Sequence, residues 1–464
     1  MKLKEAFVEQ LQGIFPDEWQ TMVDAIGKTE ASVSIRVNEA RGAKVPDDAV
    51  RVPWCNTGLY LDGRKQFTFD IDFQTGRYYV QDASSMFIDR VMRSLVTSPA
   101  RYLDLCAAPG GKTTTVMAAL PPGSLVVANE IMSKRAAVLR ENVIKWGCPR
   151  CAVASSSPKD FGRLTHFFDV VAVDAPCSGE GMMRKDEEAV AQWSPALVKQ
   201  CATLQRNIID DVWNALKPGG LLIYSTCTYN REENEEIVKY VMEHYGAESV
   251  EVPVERGWDI QPAIRLNAHC YRFLPHHTRG EGLFLAVLRK PVASMGREAA
   301  REKKERGGEG VKSNVPHAVA NWLLSTGSFI LQEHDGIVVA VPSDLVSEFS
   351  LLHKHLNVIY SGIEVGTLKG KNCVPSHALA LSAALNPDAF PSCEVDYRLA
   401  LVFMRGESLT IDAPRGYVRL THHGSNIGFV NNLGSRANNL YPKGWRILST
   451  HIPPEEPSRL IDCQ

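Results

Sequence analysis

The chain has 464 residues, 44% hydrophobic and 22% charged, with a formal net charge of −2 from 51 Lys+Arg and 53 Asp+Glu. That length implies two or three soluble globular domains, and the balanced charge excludes an overall polycation while allowing a local basic face. No apolar run approaches the ~20 residues of a membrane span, and the first residues lack the apolar core of a signal peptide, so a cytoplasmic, monomeric protein away from membranes is expected.

Residues 1–40 open with helical patterning: Phe7, Leu11, Ile14 and Phe15 share one face, followed by Trp19, Met22 and Ile26. Ser34–Asn38 alternates like a short strand, on which Arg36 and Asn38 would face solvent or a bound nucleic acid. Short strands with glycine turns follow from 51 to 80. Tyr79 to Ser85 then supplies an Asp/Ser cap for a helix running through Met92. Between 101 and 290 strands and helices alternate. Tyr102–Cys106, Leu125–Asn129, Val170–Asp174, Leu221–Ser225 and Leu283–Leu288 read as strands, and 133–146, 194–216 and 232–245 as helices. This order argues for a doubly wound, mostly parallel α/β sheet. The charged, aromatic-free stretch around Arg297–Lys312 reads as a linker, set at 293–313. Beyond it, Gly336–Val341, Arg398–Phe403 and Gly416–Leu420 read as strands of a β-rich region. Eleven cysteines scattered along the chain do not form a disulfide framework, and the single CxxC, Cys148–Cys151, lacks a second ligand pair, so no metal site is expected.

The stretch Leu103–Thr114 joins a strand to a helix start through Cys106, Ala107, Ala108, Pro109, Gly110, Gly111 and Lys112. Small residues let a ligand approach the backbone, and the helix start presents free N–H groups. A triphosphate loop would need glycine at 106, where Cys106 stands. Glu130, ending the next strand, is placed to grip ribose hydroxyls. An adenosine ligand whose remainder is not phosphate suits this loop, and S-adenosylmethionine is such a ligand.

Two strand ends carry thiols. Asp174-Ala175-Pro176-Cys177-Ser178-Gly179 follows one buried strand, and Ser225-Thr226-Cys227-Thr228 follows another, ahead of a helix start at Asn230–Glu233 whose partial positive charge favours a thiolate. In a doubly wound sheet both ends open into one cleft. Methylation of cytosine C5 needs this set: a thiolate adding to C6 makes C5 nucleophilic, and a base must then remove the C5 proton before the thiol leaves.

These motifs resemble the Nol/Nop/Sun family of RNA cytosine-5 methyltransferases, specifically its RsmF-like ribosomal RNA enzymes. The resemblance covers Ser34–Asn38, Tyr79–Ser85, Cys106–Lys112, Asp174–Gly181 with Arg184, Ser225–Tyr229, Arg272–His276 and Thr278–Phe284. Gly416–Leu420 through Trp445 is similar to the PUA-type RNA-binding segment of that branch. It implies a Rossmann-like methyltransferase domain at 81–292, a small α+β N-terminal domain at 1–80, an intermediate domain at 314–405 and a PUA-like domain at 406–464. It further implies Cys227 as nucleophile, Cys177 as the group assisting release of the adduct, and Asp174 between cofactor and base. Cys106 to Lys112 would line the methionine side of S-adenosylmethionine and Glu130 would hold the ribose. The family's adenine-contacting Asp is absent; Ser157, with Asp160 nearby, stands in that stretch.

A stacked cytosine must be flipped or unpaired to reach such a cleft. Arg36, Arg184, His276, Arg419 and Arg436 are the candidate RNA contacts, although residues 401–464 carry only seven Lys/Arg against five Asp/Glu. The expected substrate is small-subunit ribosomal RNA. A transfer-RNA cytosine methyltransferase and a non-catalytic ribosome-assembly factor are the alternatives. A DNA enzyme is disfavoured because its nucleophile would lie on the Pro-Cys turn.

Overall fold

The computed structural model describes residues 3–292, 315–370, 372–449 and 451–463, so the expected linker at 293–313 lies wholly outside the described residues. At its centre is a nine-stranded sheet. Four parallel pairings run Cys151–Ala154, Leu125–Asn129, Arg101–Asp104, Phe168–Asp174, Leu216–Thr226 in spatial order. Leu283–Arg289 then adds antiparallel to Leu216–Thr226. Both faces are covered: Tyr102, Val126 and Val170 enter one apolar cluster with Val116 and Leu139, whereas Leu103, Val127 and Val171 enter another with Ile209 and Val238. Near-continuous apolar strands therefore follow from burial on two sides.

Chain order reverses between Arg101–Asp104 and Phe168–Asp174, which are adjacent. The loops leaving these two strands thus diverge around a crevice, the position where ligands bind in such sheets. The expected fold class is the one observed.

The N-terminal helices Glu5–Ile14 and Trp19–Lys28 bury Phe7, Leu11, Met22 and Ile26 against Met183, Trp193, Tyr229 and Leu274 of the central domain. A three-stranded antiparallel sheet follows, with Val33–Val37 between Gly58–Leu61 and Tyr78–Val80. After the linker, Phe329–His334, Ile337–Pro342, Ile363–Lys369 and Asn372–Pro375 form a separate sheet. Val358–Ser361 instead pairs antiparallel with Cys151–Ala154 and extends the central sheet, a crossing the sequence did not suggest. The last sheet takes Ser392–Glu394, Gly416–His422, Ser425–Asn432 and Ala437–Asn439.

Arg398–Phe403 is not a strand. It lies in the helix Tyr397–Met404, begun by the Asp396 side chain accepting from the Leu399 N–H. Its apolar residues bury on one side with helical rather than two-residue spacing, and it crosses between two parallel strands, a connection that calls for a helix. No described helix is long and apolar enough to cross a membrane.

Candidate active site

The loop after Arg101–Asp104 is held from three sides. The Ala107 N–H donates to the Asn129 carbonyl at 2.8 Å, Arg135 donates to the Ala108 carbonyl at 2.8 Å, and Asn142 donates to the Pro109 carbonyl at 2.8 Å. Gly110 then turns the chain at φ 112°, a left-handed conformation that side chains resist, directly ahead of the helix Gly111–Ala119. Cys106, Ala107, Ala108, Pro109, Gly111 and Lys112 line a cavity of about 360 Å³ that also takes in Asp104, Asp174 and Cys227. A volume of that order suits a nucleoside-sized ligand.

Asp174 ends its strand at the cavity mouth. Ser225 Oγ donates to its Oδ1 at 2.7 Å and Lys112 Nζ to its Oδ2 at 2.8 Å. Burial works against the Lys112 charge, but the Asp174 carboxylate holds the ammonium above its usual value. Beneath them Asp104 is 2% exposed and accepts from Thr113 Oγ1 at 2.6 Å. Desolvation pushes its carboxyl up to about 7.

Cys177 Sγ lies 3.2 Å from Cys227 Sγ, and that hydrogen bond together with burial pushes the Cys177 thiol well above its usual value. Two buried carboxylates fix the thiol-bearing loops to each other. Glu180, fully buried, accepts from the Tyr229 N–H at 2.6 Å, the Asn230 N–H at 3.0 Å, Asn230 Nδ2 at 2.9 Å, Trp193 Nε1 at 3.0 Å and Gln10 Nε2 at 2.8 Å. Glu233 accepts from the Ser178 N–H at 3.0 Å, from the Ser178 hydroxyl, from Gln205 at 2.8 Å and from Asn230 Nδ2 at 2.8 Å. Burial raises Glu233, and the Ser178 and Asn230 donors oppose that rise. Gly181 donates its N–H to the Cys227 carbonyl at 2.7 Å, and a Cβ there would stand 2.9 Å from that oxygen, so the approach requires glycine.

Several expectations need correction. The helix after Cys227 begins at Glu235, not at Asn230–Glu233, because the Asn230 and Glu233 side chains tie this segment to the Cys177 loop. Arg36 faces neither solvent nor RNA. It is 0% exposed, donating to Gln81 at 2.9 Å and Thr114 at 2.6 Å, with its guanidinium 4.2 Å from the Trp146 ring centroid. A buried arginine with those partners braces the N-terminal sheet against the cofactor-loop helix. Asn38 is buried too, donating to the Gly76 and Trp146 carbonyls. Arg184 is paired with Glu281 at 2.8 Å, with both side chains under a tenth exposed, and His276 turns its Nε2 to Glu18 at 3.3 Å. Arg419 is half-buried on Asn426 and the Pro387 carbonyl, whereas Arg436 is exposed.

Glu130 and Ser157 are outside the cavity lining. Glu130 accepts from the Met132 N–H at 2.9 Å and pairs with Arg135 at 2.8 Å. Ser157 gives its hydroxyl to Asp160 at 2.7 Å in a capping box, which engages both candidates for the adenine contact with each other.

Asp104 and Glu281, for which local sequence suggests no site role, line the cavity together with Asp82, expected as a helix cap, and Lys185, expected like Arg184 as an RNA contact. Asp82 is half-buried, accepts from the Ser84 N–H at 3.0 Å and the Glu281 N–H at 2.9 Å, and desolvation raises its carboxyl. An acid in Gln81-Asp82-Ala83-Ser84 reads as a helix cap from sequence alone; only the fold brings it to the cleft.

Comparison with known proteins agrees with this architecture. Residues 96–289 match the family described as 16S rRNA methyltransferase RsmB/F, residues 3–83 the N-terminal domain of 16S rRNA methyltransferase RsmF, and residues 390–447 the methyltransferase RsmF PUA domain. The chain is 30% identical over 411 residues to a ribosomal RNA small subunit methyltransferase F of Shigella flexneri serotype 5b (strain 8401), covering 84% of each. It is 29% identical over 473 aligned positions to that of Cronobacter sakazakii, covering 95% of this chain and 96% of the relative. Among solved structures, a methyltransferase homolog protein from Pyrococcus horikoshii superposes with a TM-score of 0.52 at 25% identity, covering 62% of this chain and 95% of that one. The chain belongs to the RsmF family of ribosomal RNA small subunit methyltransferases.

Proposed function

We propose that this chain transfers a methyl group from S-adenosylmethionine to C5 of a cytosine in small-subunit ribosomal RNA, through a covalent Cys227–C6 adduct released with the help of Cys177. The observation that supports this most is the pairing of the two thiols at 3.2 Å beside Asp174, at the mouth of a nucleoside-sized cavity. The small-residue loop Cys106–Lys112 and the Asp104 and Asp174 carboxyls fit a cationic, adenosine-bearing cofactor, which supplies the electrophilic methyl when bound.

Cys227 donates an electron pair to C6, forming the S–C6 bond and pushing density onto C5. Asp174, positioned by Ser225 and Lys112, hydrogen-bonds the base edge, and the Lys112 ammonium on that carboxylate is the proton source the ring draws on as its charge rises. After C5 has gained the methyl, solvent water takes the C5 hydrogen as a proton, the C5–H electron pair becomes the C5–C6 double bond, and the S–C6 pair returns to sulfur. Cys177, held as a thiol, directs its S–H at the departing sulfur and stabilises it. Glu180 and Glu233 keep the thiol loops aligned as the adduct forms and breaks. Arg436 is the candidate RNA contact that remains exposed, and the small-subunit methyltransferases to which the chain is similar support small-subunit RNA as the substrate.

Incubation with methyl-labelled S-adenosylmethionine and small ribosomal subunits or naked 16S RNA tests the proposal. Label recovered as 5-methylcytidine and lost in Cys227→Ala supports it; label on another nucleoside, or an undiminished Cys227→Ala, overturns it.

A further inference from the structure

Gly416–His422 and Ser425–Asn432 are joined by a tight turn in which His423 adopts φ 47° and Gly424 φ 71°. Left-handed positions of this kind ordinarily take Asn or Gly. Here the turn sets two adjacent imidazoles side by side, ring centroids 4.2 Å apart and tilted by 50°. His422 Nε2 is 3.0 Å and His423 Nε2 2.9 Å from the same atom, Oε1 of Glu456, in the C-terminal tail. His422 Nδ1 is 2.8 Å from the Val395 carbonyl oxygen.

That carbonyl is an acceptor, so it claims the Nδ1 proton of His422. With Nδ1 so engaged, Nε2 is the ring nitrogen that points at a carboxylate oxygen, and a second imidazole is aimed at the same point. A cation among the three ligand atoms, which all lie within 4.8 Å of one another, would meet all of them. Two imidazole nitrogens and one carboxylate oxygen, with one ring oriented by a backbone carbonyl, are a donor set and supporting shell suited to zinc. Ligand atoms around such an ion stand about 3.3 Å apart, so the site needs to open by only a few tenths of an ångström. The adjoining small cavity is lined by Asp70, Ile71, Asp72, Pro457 and Arg459, and Arg459 is engaged with Asp72 at 3.1 Å.

We propose that His422, His423 and Glu456 form a binding site for a divalent transition-metal ion of the zinc type, which fastens the C-terminal tail to this hairpin. Beyond Glu456 the strand Asp462–Cys463 pairs with Ala43–Lys44, so the ion would secure the segment that links this hairpin to the N-terminal region. Cysteine spacing does not reveal this site, and the carboxylate lies 33 residues from its histidine partner. A second cluster, Glu18 with His276 and His277, does not fit. His277 is held between two carboxylates, Asp259 at 2.9 Å and Glu18 at 3.1 Å, with no backbone carbonyl on its second nitrogen, and the buried His276 Nδ1 has no hydrogen-bond partner to orient it.

The test is zinc binding to the full chain by competition with a chromophoric chelator, in a buffer whose reductant does not bind metals, for the parent, His423→Ala, Glu456→Gln and Glu18→Gln. The chain's cysteines are a background common to all four. One zinc equivalent should weaken about a hundredfold in His423→Ala and in Glu456→Gln and persist in Glu18→Gln. Zinc should also slow proteolysis of the tail in the parent and not in His423→Ala. His423 is exposed, so its replacement spares the fold, and melting in excess chelator checks that point. Equal zinc binding by the parent, His423→Ala and Glu456→Gln overturns the proposal and leaves a histidine–carboxylate ion pair only.

Discussion

Cys177 and Cys227, 50 residues apart in sequence, bring their sulfurs within 3.2 Å of each other at the ends of neighbouring strands. A disulfide needs about 2.05 Å, so a small side-chain rotation suffices to join them. Hydrogen peroxide, reduced to water as two thiols lose their hydrogens, should therefore inactivate the enzyme, and a dithiol should restore it. In Cys177→Ala the same treatment should leave Cys227 without a partner, and its ability to form the RNA adduct should be lost largely irreversibly. Activity before and after dithiol treatment, with mass spectrometry of the Cys177–Cys227 peptides, checks this.

Glu180 accepts five donors, two of them backbone N–H groups next to Cys227's loop. Glu180→Gln keeps the shape but replaces one acceptor oxygen with a donor. It should cost about 1.5–3 kcal/mol in thermal or urea unfolding and lower the turnover rate more than substrate affinity, since it leaves cofactor and RNA contacts in place.

Asp104 links the cofactor cavity to pH. Its carboxyl moves from 3.8 in the unfolded chain to about 7 when folded, because burial disfavours the charge. The folded state thus holds that proton more tightly. The stabilisation is fully present below pH 3.8 and is lost as pH rises through 7, a swing on the order of 4 kcal/mol. Asp104→Asn should raise the melting temperature at pH 8 more than at pH 5. A cationic cofactor prefers the carboxylate, so S-adenosylmethionine affinity should fall as pH drops below 7 and lose that dependence in Asp104→Asn. Calorimetric titration at several pH values measures both.

Arg36 and Arg436 separate bracing from RNA contact. Arg36→Ala should destabilise the fold by several kcal/mol, removing a buried cation from Gln81, Thr114 and Trp146. Arg436→Ala should change stability by less than about 0.5 kcal/mol while reducing the slope of log RNA affinity against log salt by roughly one. Unfolding and salt-dependent RNA binding, measured on both variants, distinguish the roles.

The order of the sheet and its crevice were legible because parallel βαβ units bury both faces of each strand and leave long apolar runs such as Val170–Val173. The loop Cys106–Lys112 and both thiols could be placed for the same reason: each directly follows such a strand. Arg36 could not, since an alternating strand does not say which of its faces a later helix covers. The Tyr397–Met404 helix was hidden because its six apolar residues match a buried strand, and only the Asp396 cap marks the difference. The capping pattern at Asn230–Glu233 was read as a helix start. Its carboxylate instead reaches 55 residues back to Ser178, a long-range demand that local spacing cannot reveal. Val358–Ser361 joined the central sheet across a linker that composition marks as a boundary.

The division of labour between the two thiols is tested most directly by trapping. Cys177→Ala, incubated with S-adenosylmethionine and small-subunit ribosomal RNA, should accumulate a protein–RNA adduct that survives a denaturing gel, and Cys177→Ala with Cys227→Ala should form none. An adduct that persists when Cys227 is replaced, or a Cys177→Ala enzyme that turns over freely with no adduct, would contradict the account.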